Sequence, residues 1–261
     1  LLLFLQKKKS LLLEYRAMPE SAQHIVKRYE QELKRLRDLL VEMGGLVEAQ
    51  LAEATLAVVQ QDPDAATRTV EQDPAVDALE REVESFVIRL LALRQPVAQD
   101  LRLIVAALKM SSDLERIGDY AANVAKRSIV LSQYNLPFKL SGIAHMARLV
   151  QESLKLTVDA IGDEDAEKAI QVWRSDQAVD DIYTAIFREL VTYMMEDPRN
   201  ITPCTHLLFI AKNLERIGDH ATNIAETVHF AATGESLPEA RPKGESANYA
   251  VIRPRDEKSE N

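Results

Sequence analysis

One stretch of this chain is written twice, 100 residues apart, and that repeat constrains the fold more than any other feature. Asp113-Leu114-Glu115-Arg116-Ile117-Gly118-Asp119-Tyr120-Ala121-Ala122-Asn123 returns as Asn213-Leu214-Glu215-Arg216-Ile217-Gly218-Asp219-His220-Ala221-Thr222-Asn223. A chain that repeats itself builds its core from equivalent units. Glu115, Asp119 and Asn123 stand at i, i+4 and i+8, as do Glu215, Asp219 and Asn223. On a helix such residues line one face, with successive Cβ atoms about 6 Å apart. Like charges at this spacing cost about 0.2–0.5 kcal/mol per pair, so the pattern asks for a cation.

The surrounding composition makes the unit helical. The 261 residues include only eight Gly, are 5% aromatic and are rich in Ala, Leu, Glu, Arg and Lys, which favours an all-α chain. Apolar positions follow helical spacing in six segments. The first runs from about Ser21 to Gln60, with Leu36, Leu39, Leu40, Met43, Leu46, Val47 and Leu51 as its stripe. Asp62-Pro63 opens the second, as a cap followed by a first-turn proline; it carries Val76, Leu79, Val83, Phe86, Val87 and Leu90 and stops near Arg94-Gln95-Pro96. The third spans about Val97 to Leu131, and Tyr134-Asn135-Leu136-Pro137 forms a linker. The scheme then repeats over about Ser141–Ile161, Asp163–Met195 and Ile201–Ala232. Asp62, Asp73, Val76 and Asp77 correspond to Asp165, Asp176, Val179 and Asp180, all shifted by 103, whereas the third helices are shifted by 100. The second copy therefore lacks three residues, expected in its last loop. The expectation is two pseudo-symmetric three-helix bundles, residues 19–133 and 140–233.

The ends read differently. Residues 1–18 are expected to be a non-native or disordered extension, with Met18-Pro19 as the natural start. Leu1 to Leu5 is too short to span a bilayer, and Lys7-Lys8-Lys9 follows the apolar run, where a signal peptide places its basic residues first. A short membrane-surface helix is the other reading of this segment. Residues 234–261 mix Pro, Gly, Ser and charges without apolar periodicity and read as a disordered tail. The net charge of -9 argues against nucleic acid. The single Cys204 excludes an internal disulfide or a cysteine zinc cluster, and its apolar neighbourhood (Leu207, Leu208, Phe209, Ile210) predicts a buried thiol in a reducing cytoplasm.

On the third helix, Leu103, Ala107, Met110, Leu114, Ile117, Ala121 and Val124 form the core seam, matched by Pro203, Leu207, Ile210, Leu214, Ile217, Ala221 and Ile224. Glu115 and Asp119 lie nearly opposite Ile117 and so belong to an outward or groove-facing surface. The second helices add Asp73 with Asp77 and Asp176 with Asp180, each pair at i, i+4. Neighbouring helices about 8–10 Å apart let facing carboxylate pairs share bound cations. Asp73, Asp77, Glu115 and Asp119 are the candidate ligands of one metal site, and Asp176, Asp180, Glu215 and Asp219 those of the other. Such oxygen donors suit iron, manganese, zinc or magnesium. The competing reading is a merely solvated acidic face; recurrence in both copies and on both helices favours the metal. Gly118 and Gly218, costly within helices, point to close backbone approach. Arg116 and Arg216 project about 100° away from the acids. His220 is a weaker nitrogen candidate, Trp173 reads as packing, and Arg94, Arg102 and Arg127 as surface charge.

With these marks the chain resembles the PhoU family of bacterial phosphate-transport accessory proteins, over about Pro19 to Gly234. The doubled Glu-Arg-Ile-Gly-Asp, the Asp-x-x-x-Asp partners and Gln95-Pro96-Val97-Ala98-Gln99-Asp100-Leu101-Arg102 carry the resemblance. It implies paired three-helix bundles bearing surface metal clusters, and a cytoplasmic homodimer. It implies a regulator and not an enzyme, restraining phosphate uptake and the starvation response. The implied partners are the ATPase subunit of a phosphate ABC transporter and a phosphate-sensing histidine kinase, with no nucleic acid and no direct membrane insertion. One departure is that Tyr183 and Phe187 stand where the first copy has Glu80 and Glu84. The alternatives are a regulator of a single-component phosphate permease, a carboxylate-bridged metal-dependent hydrolase, and a purely structural helical dimer.

Overall fold

The computed structural model describes residues 20–136 and 139–238. The extension at 1–18, Pro137 of the linker and the tail from 239 onward lie outside the described residues. Six helices follow in order: α1 Glu20–Gln60, α2 Pro63–Arg94, α3 Ala98–Leu131, α4 Ser141–Asp163, α5 Ala166–Glu196 and α6 Ile201–Thr233, with a 3₁₀ turn at Pro198–Asn200 before α6. No strand occurs among the described residues.

The repeat is visible in the backbone of the first turns. Gln61 and Glu164 both leave their helices in the left-handed region, at φ 54° and 53°. Each is followed by an extended aspartate, Asp62 at φ -95°, ψ 105° and Asp165 at φ -96°, ψ 104°. The Asp62 and Asp165 amides donate back to Ala57 and Ala160, both at 3.1 Å, closing the ends of α1 and α4 in the Schellman manner. Asp62 Oδ1 then accepts from the Asp64 and Ala65 amides (2.9 and 3.1 Å), and Asp165 Oδ1 from Glu167 and Lys168 (2.8 and 3.2 Å). One turn, one cap and one residue type thus recur 103 positions apart. The α5 start falls at Ala166 and not Asp163, because Asp165 spends its side chain as the cap. Gln95–Val97 joins α2 to α3, and Asp197 with the 3₁₀ turn Pro198–Asn200 joins α5 to α6, so the change of shift falls around this connection without making the link between the helices shorter.

The two repeats pack with equivalent helices side by side. Along α1 and α4, Gly44 meets Val158, Val41 meets Gly162, and Gln151 Nε2 donates to Thr55 Oγ1. Along α3 and α6, Arg102 lies against Gly234, Tyr120 against His220, and Arg127 over Phe209. Numbers rise on one helix as they fall on the other, so both pairs are antiparallel. Tyr120 and His220 occupy equivalent positions and touch, with ring centroids 5.6 Å apart. The pseudo-twofold axis therefore passes between α3 and α6 near Gly118 and Gly218. The two bundles share a continuous apolar core.

The predicted seams are the core: Ala107, Leu114, Ile117, Ala121 and Val124 are fully buried, as are Leu207, Ile210, Leu214, Ile217, Ala221 and Ile224, with Cys204 among them. Leu103 is half-buried. Leu46, expected in the α1 stripe, is 41% exposed; it stands next to Gly45 on the solvent side of a helix long enough for a straight stripe to drift.

Candidate metal centres

Each centre begins with a glycine. Gly118 faces Val76 of α2, and a Cβ built there would stand 3.4 Å from Val76 Cγ1 and 3.1 Å from Gln50 Oε1. Gly218 faces Val179 in the same way, with the corresponding distance 3.5 Å. These contacts draw α2 onto α3 and α5 onto α6, setting the Asp-x-x-x-Asp pairs beside the Glu-x-x-x-Asp pairs. A side chain at Gly118 would crowd Gln50, whereas at Gly218 a Cβ would make only ordinary contact with Val179, so the expected close approach is seen at the first position and not the second.

In the first repeat the carboxylates feel one another. Burial raises the Glu115 carboxyl above its ordinary range, reinforced by Asp119, Glu80 and Asp77. Asp119 is raised by burial and then by Asp73 and Asp77. Glu80 is raised by burial and then by Glu84 and Asp77. The opposing pulls of Arg116, Arg81 and Lys126 are weaker than these. Asp77 thus acts on Glu115, Asp119 and Glu80, Asp73 acts on Asp119, and Glu80 and Glu84 join the same field. Those two continue the α2 face at i+7 and i+11 from Asp73, a signal present in the spacing. Gln50 of α1 was not foreseen: it is fully buried, and its Nε2 donates to Asp73 Oδ1 at 3.2 Å and to the Thr69 carbonyl at 3.4 Å. It fixes Asp73 from behind.

The second repeat is built differently around equivalent positions. Asp176 is buried, 7% exposed, and accepts from Thr222 Oγ1 at 3.1 Å. Glu215 accepts from Lys212 Nζ at 2.6 Å, and Lys212 lies 5.2 Å from the centre of the Tyr183 ring. Asp180 and Asp219 are half-buried beside them. His220 turns to the other repeat, where its Nδ1 shares a hydrogen bond of 2.7 Å with Asp113 Oδ1. Arg216 reaches over the Tyr120 ring, 5.5 Å from its centre. Asn123, at i+8 in the motif, is exposed.

Carboxylate oxygens suit a hard or borderline divalent cation in chemistry. The side chains are spread along the groove: among the described residues, no three His, Cys, Asp or Glu side chains gather closely enough to hold one ion. The weaker arginine candidates have structural partners. Arg94 holds Glu32 through two hydrogen bonds of 2.7 and 2.8 Å, and Arg127 stacks on Phe209 at 4.0 Å. No helix among the described residues is long and apolar enough to cross a membrane.

The family model of the PhoU domain matches residues 40–128 and again 143–228, once in each repeat. The chain belongs to the PhoU family. It is 51% identical over 222 residues to a phosphate-specific transport system accessory protein PhoU homolog of Caulobacter vibrioides, covering 85% of this chain and 96% of that one. A PhoU homolog of the same description from Rhizobium meliloti is 47% identical over 221 residues, covering 84% and 93%. Among solved structures, PhoU from Pseudomonas aeruginosa superposes with a TM-score of 0.77 at 41% identity, covering 79% of this chain and all of that one. The phosphate transport system regulatory protein PhoU from Streptococcus pneumoniae gives 0.75 at 30% identity, covering 80% and 99%. The paired PhoU repeats and the helical bundles are therefore those of the family.

Proposed function

We propose that this chain is a regulator of phosphate uptake, an accessory protein to a phosphate ABC transporter that also restrains the phosphate-starvation two-component response. The observation that carries the reading is 51% identity spanning 96% of a relative described as a phosphate-specific transport accessory protein. The protein works as a cytoplasmic homodimer and is not an enzyme. Its partners are the transporter's ATPase subunit and the sensing histidine kinase. Asp73, Asp77, Glu115 and Asp119, with Glu80 and Glu84 alongside, would hold metal in the first repeat, and Asp176, Asp180, Glu215 and Asp219 in the second. A bound divalent cation supplies the positive charge that these carboxylates lack, tying α2 to α3 and α5 to α6. Gln50 and Thr222 orient one aspartate in each set from the side of the core, a positioning that ligating carboxylates commonly receive.

The test is a phosphate-regulon reporter in a bacterial strain lacking its own PhoU and grown in ample phosphate. Expression of this protein is expected to repress the reporter. Undiminished output, with the protein soluble at levels matching the lost one, would overturn the regulatory reading for that transporter and kinase.

A further inference from the structure

Where the start of α3 meets the end of α6, an open groove of about 700 Å³ lies across the two helices. Its wall carries Leu101 and Val105, one turn apart on α3, and Phe230 of α6, which are 40%, 51% and 39% exposed. Apolar side chains left open together mark a surface that another group covers. The chain itself turns into this groove. Gly234 ends α6 in the left-handed region, at φ 80°. Glu235 is then pinned: its amide donates to Thr233 Oγ1 at 3.1 Å, and its carbonyl accepts from His229 Nδ1 at 3.0 Å. Leu237 and Pro238, the last described residues, lie on the groove wall.

Residues 239–261 follow, beyond both PhoU-domain matches, the second of which ends at 228. Their large apolar side chains are Tyr249, Val251 and Ile252, set together between Pro242 and Pro254 in a stretch otherwise of small, polar and charged residues. This run is the part of the segment that gains by leaving water. From Pro238 to Tyr249 the chain can span up to about 36–40 Å, whereas Leu101 to Val105 covers about 6 Å of helix. Every point of the groove is within reach. A short tether also holds the run at an effective concentration of about millimolar, so contacts too weak to join separate molecules are populated within one chain.

We propose that the groove between the start of α3 and the end of α6 is the seat of this chain's own segment Tyr249–Ile252. Seated as an extended strand, the segment turns Tyr249 and Val251 to one side, as alternate residues do, toward Leu101, Val105 and Phe230. Docking of this kind needs no helical period, so the missing apolar periodicity of the tail does not oppose it.

The test uses the full chain with the photoreactive p-benzoylphenylalanine in place of Tyr249, irradiated in dilute solution and mapped by peptide mass spectrometry. Cross-links are expected within a single chain, to α3 between Leu101 and Lys109 or to α6 near Phe230. Val105→Asp, at a position exposed enough to spare the fold, should cut their yield about tenfold or more, because the carboxylate must lose water to be covered. Ile88→Asp, on an exposed apolar site of α2 outside the groove, should leave the yield unchanged. Hydrogen exchange on the unsubstituted chain gives an independent reading: the amides of residues 249–252 should be slowed, and released by Val105→Asp. Cross-links that join two chains would give the groove to a second copy and overturn the proposal. Links elsewhere on the chain, or none with the 249–252 amides exchanging freely, would overturn it as well and leave the groove to a separate partner.

Discussion

Two adjacent glycines in α1 offer a direct test of how the repeats are joined. Gly44 is buried and Gly45 exposed, both in the middle of the same helix. Alanine is preferred to glycine in a helix interior by about 1 kcal/mol. At Gly45 a new Cβ meets nothing within 4 Å, so Gly45→Ala should keep the whole gain. For a chain of this size that corresponds to a rise in Tm of about 2–4 °C. At Gly44 the same Cβ would stand 2.7 and 2.9 Å from Val158 Cγ2 and Cγ1. Because both branches of the valine are in the way and its χ1 is stiff, rotation offers little relief and α4 must move. Overpacking of this kind costs about 1–3 kcal/mol, which cancels or exceeds the helical gain. Gly44→Ala should therefore melt at or below wild type, and below Gly45→Ala by the full packing cost. Calorimetry at one protein concentration in chelator-treated buffer keeps metal and association constant. Val158→Ala should abolish the penalty of Gly44→Ala in a double-mutant cycle. Equal stabilisation by the two glycine substitutions, or a penalty undiminished in the Val158→Ala background, would refute the close α1–α4 crossing.

Three further outcomes follow from the same geometry. Glu115→Gln with Asp119→Asn should raise Tm in metal-free buffer by a degree or more, because about 0.2–0.5 kcal/mol of like-charge repulsion is relieved per pair; a fall would contradict the crowding of these acids. Asp62→Ala and Asp165→Ala should each cost about 1 kcal/mol in denaturant unfolding, for loss of equivalent caps, and the double variant should cost their sum. Glu32→Gln should lower Tm at neutral pH. The two-pronged Arg94 bond holds the Glu32 carboxyl below its ordinary 4.5 in the folded chain. That contribution is complete above the unfolded value and disappears as pH falls through the lower folded one. The gap between wild type and variant, followed by thermal melts across acid pH, should therefore be constant above about 5 and close on acidification; a gap that persists in strong acid would assign the effect to packing.

Much of this protein was decided by local pattern. Periodic apolar residues define α1 to α6 and place Leu114 and Ile117, with Leu214 and Ile217, in the core, because burial on a helix follows its roughly 3.6-residue period wherever the partner lies. Asp62 was legible as a cap, since a cap acts on amides two or three residues away, whereas Asp165 was matched to it by the repeat but not read as the start of α5. The carboxylate motifs were legible too, through i, i+4 spacing and repetition. What tertiary structure decided is everything that crosses between helices. Gln50 sits 23 residues from the Asp73 it orients, and no spacing rule joins residues of different helices. Glu80 and Glu84 had visible spacing, but only the approach of α2 to α3 makes them part of the field on Glu115. Lys212 looks like an ordinary surface cation in the sequence; its place on Glu215 and under Tyr183 requires α5 and α6 together. His220 follows a candidate ligand yet pairs with Asp113 of the other repeat, a contact that exists only because equivalent helices run antiparallel across a pseudo-twofold axis. Helix periodicity is a property of the backbone and survives in the string of letters, whereas charge partners depend on distances through space, which only the packed chain sets.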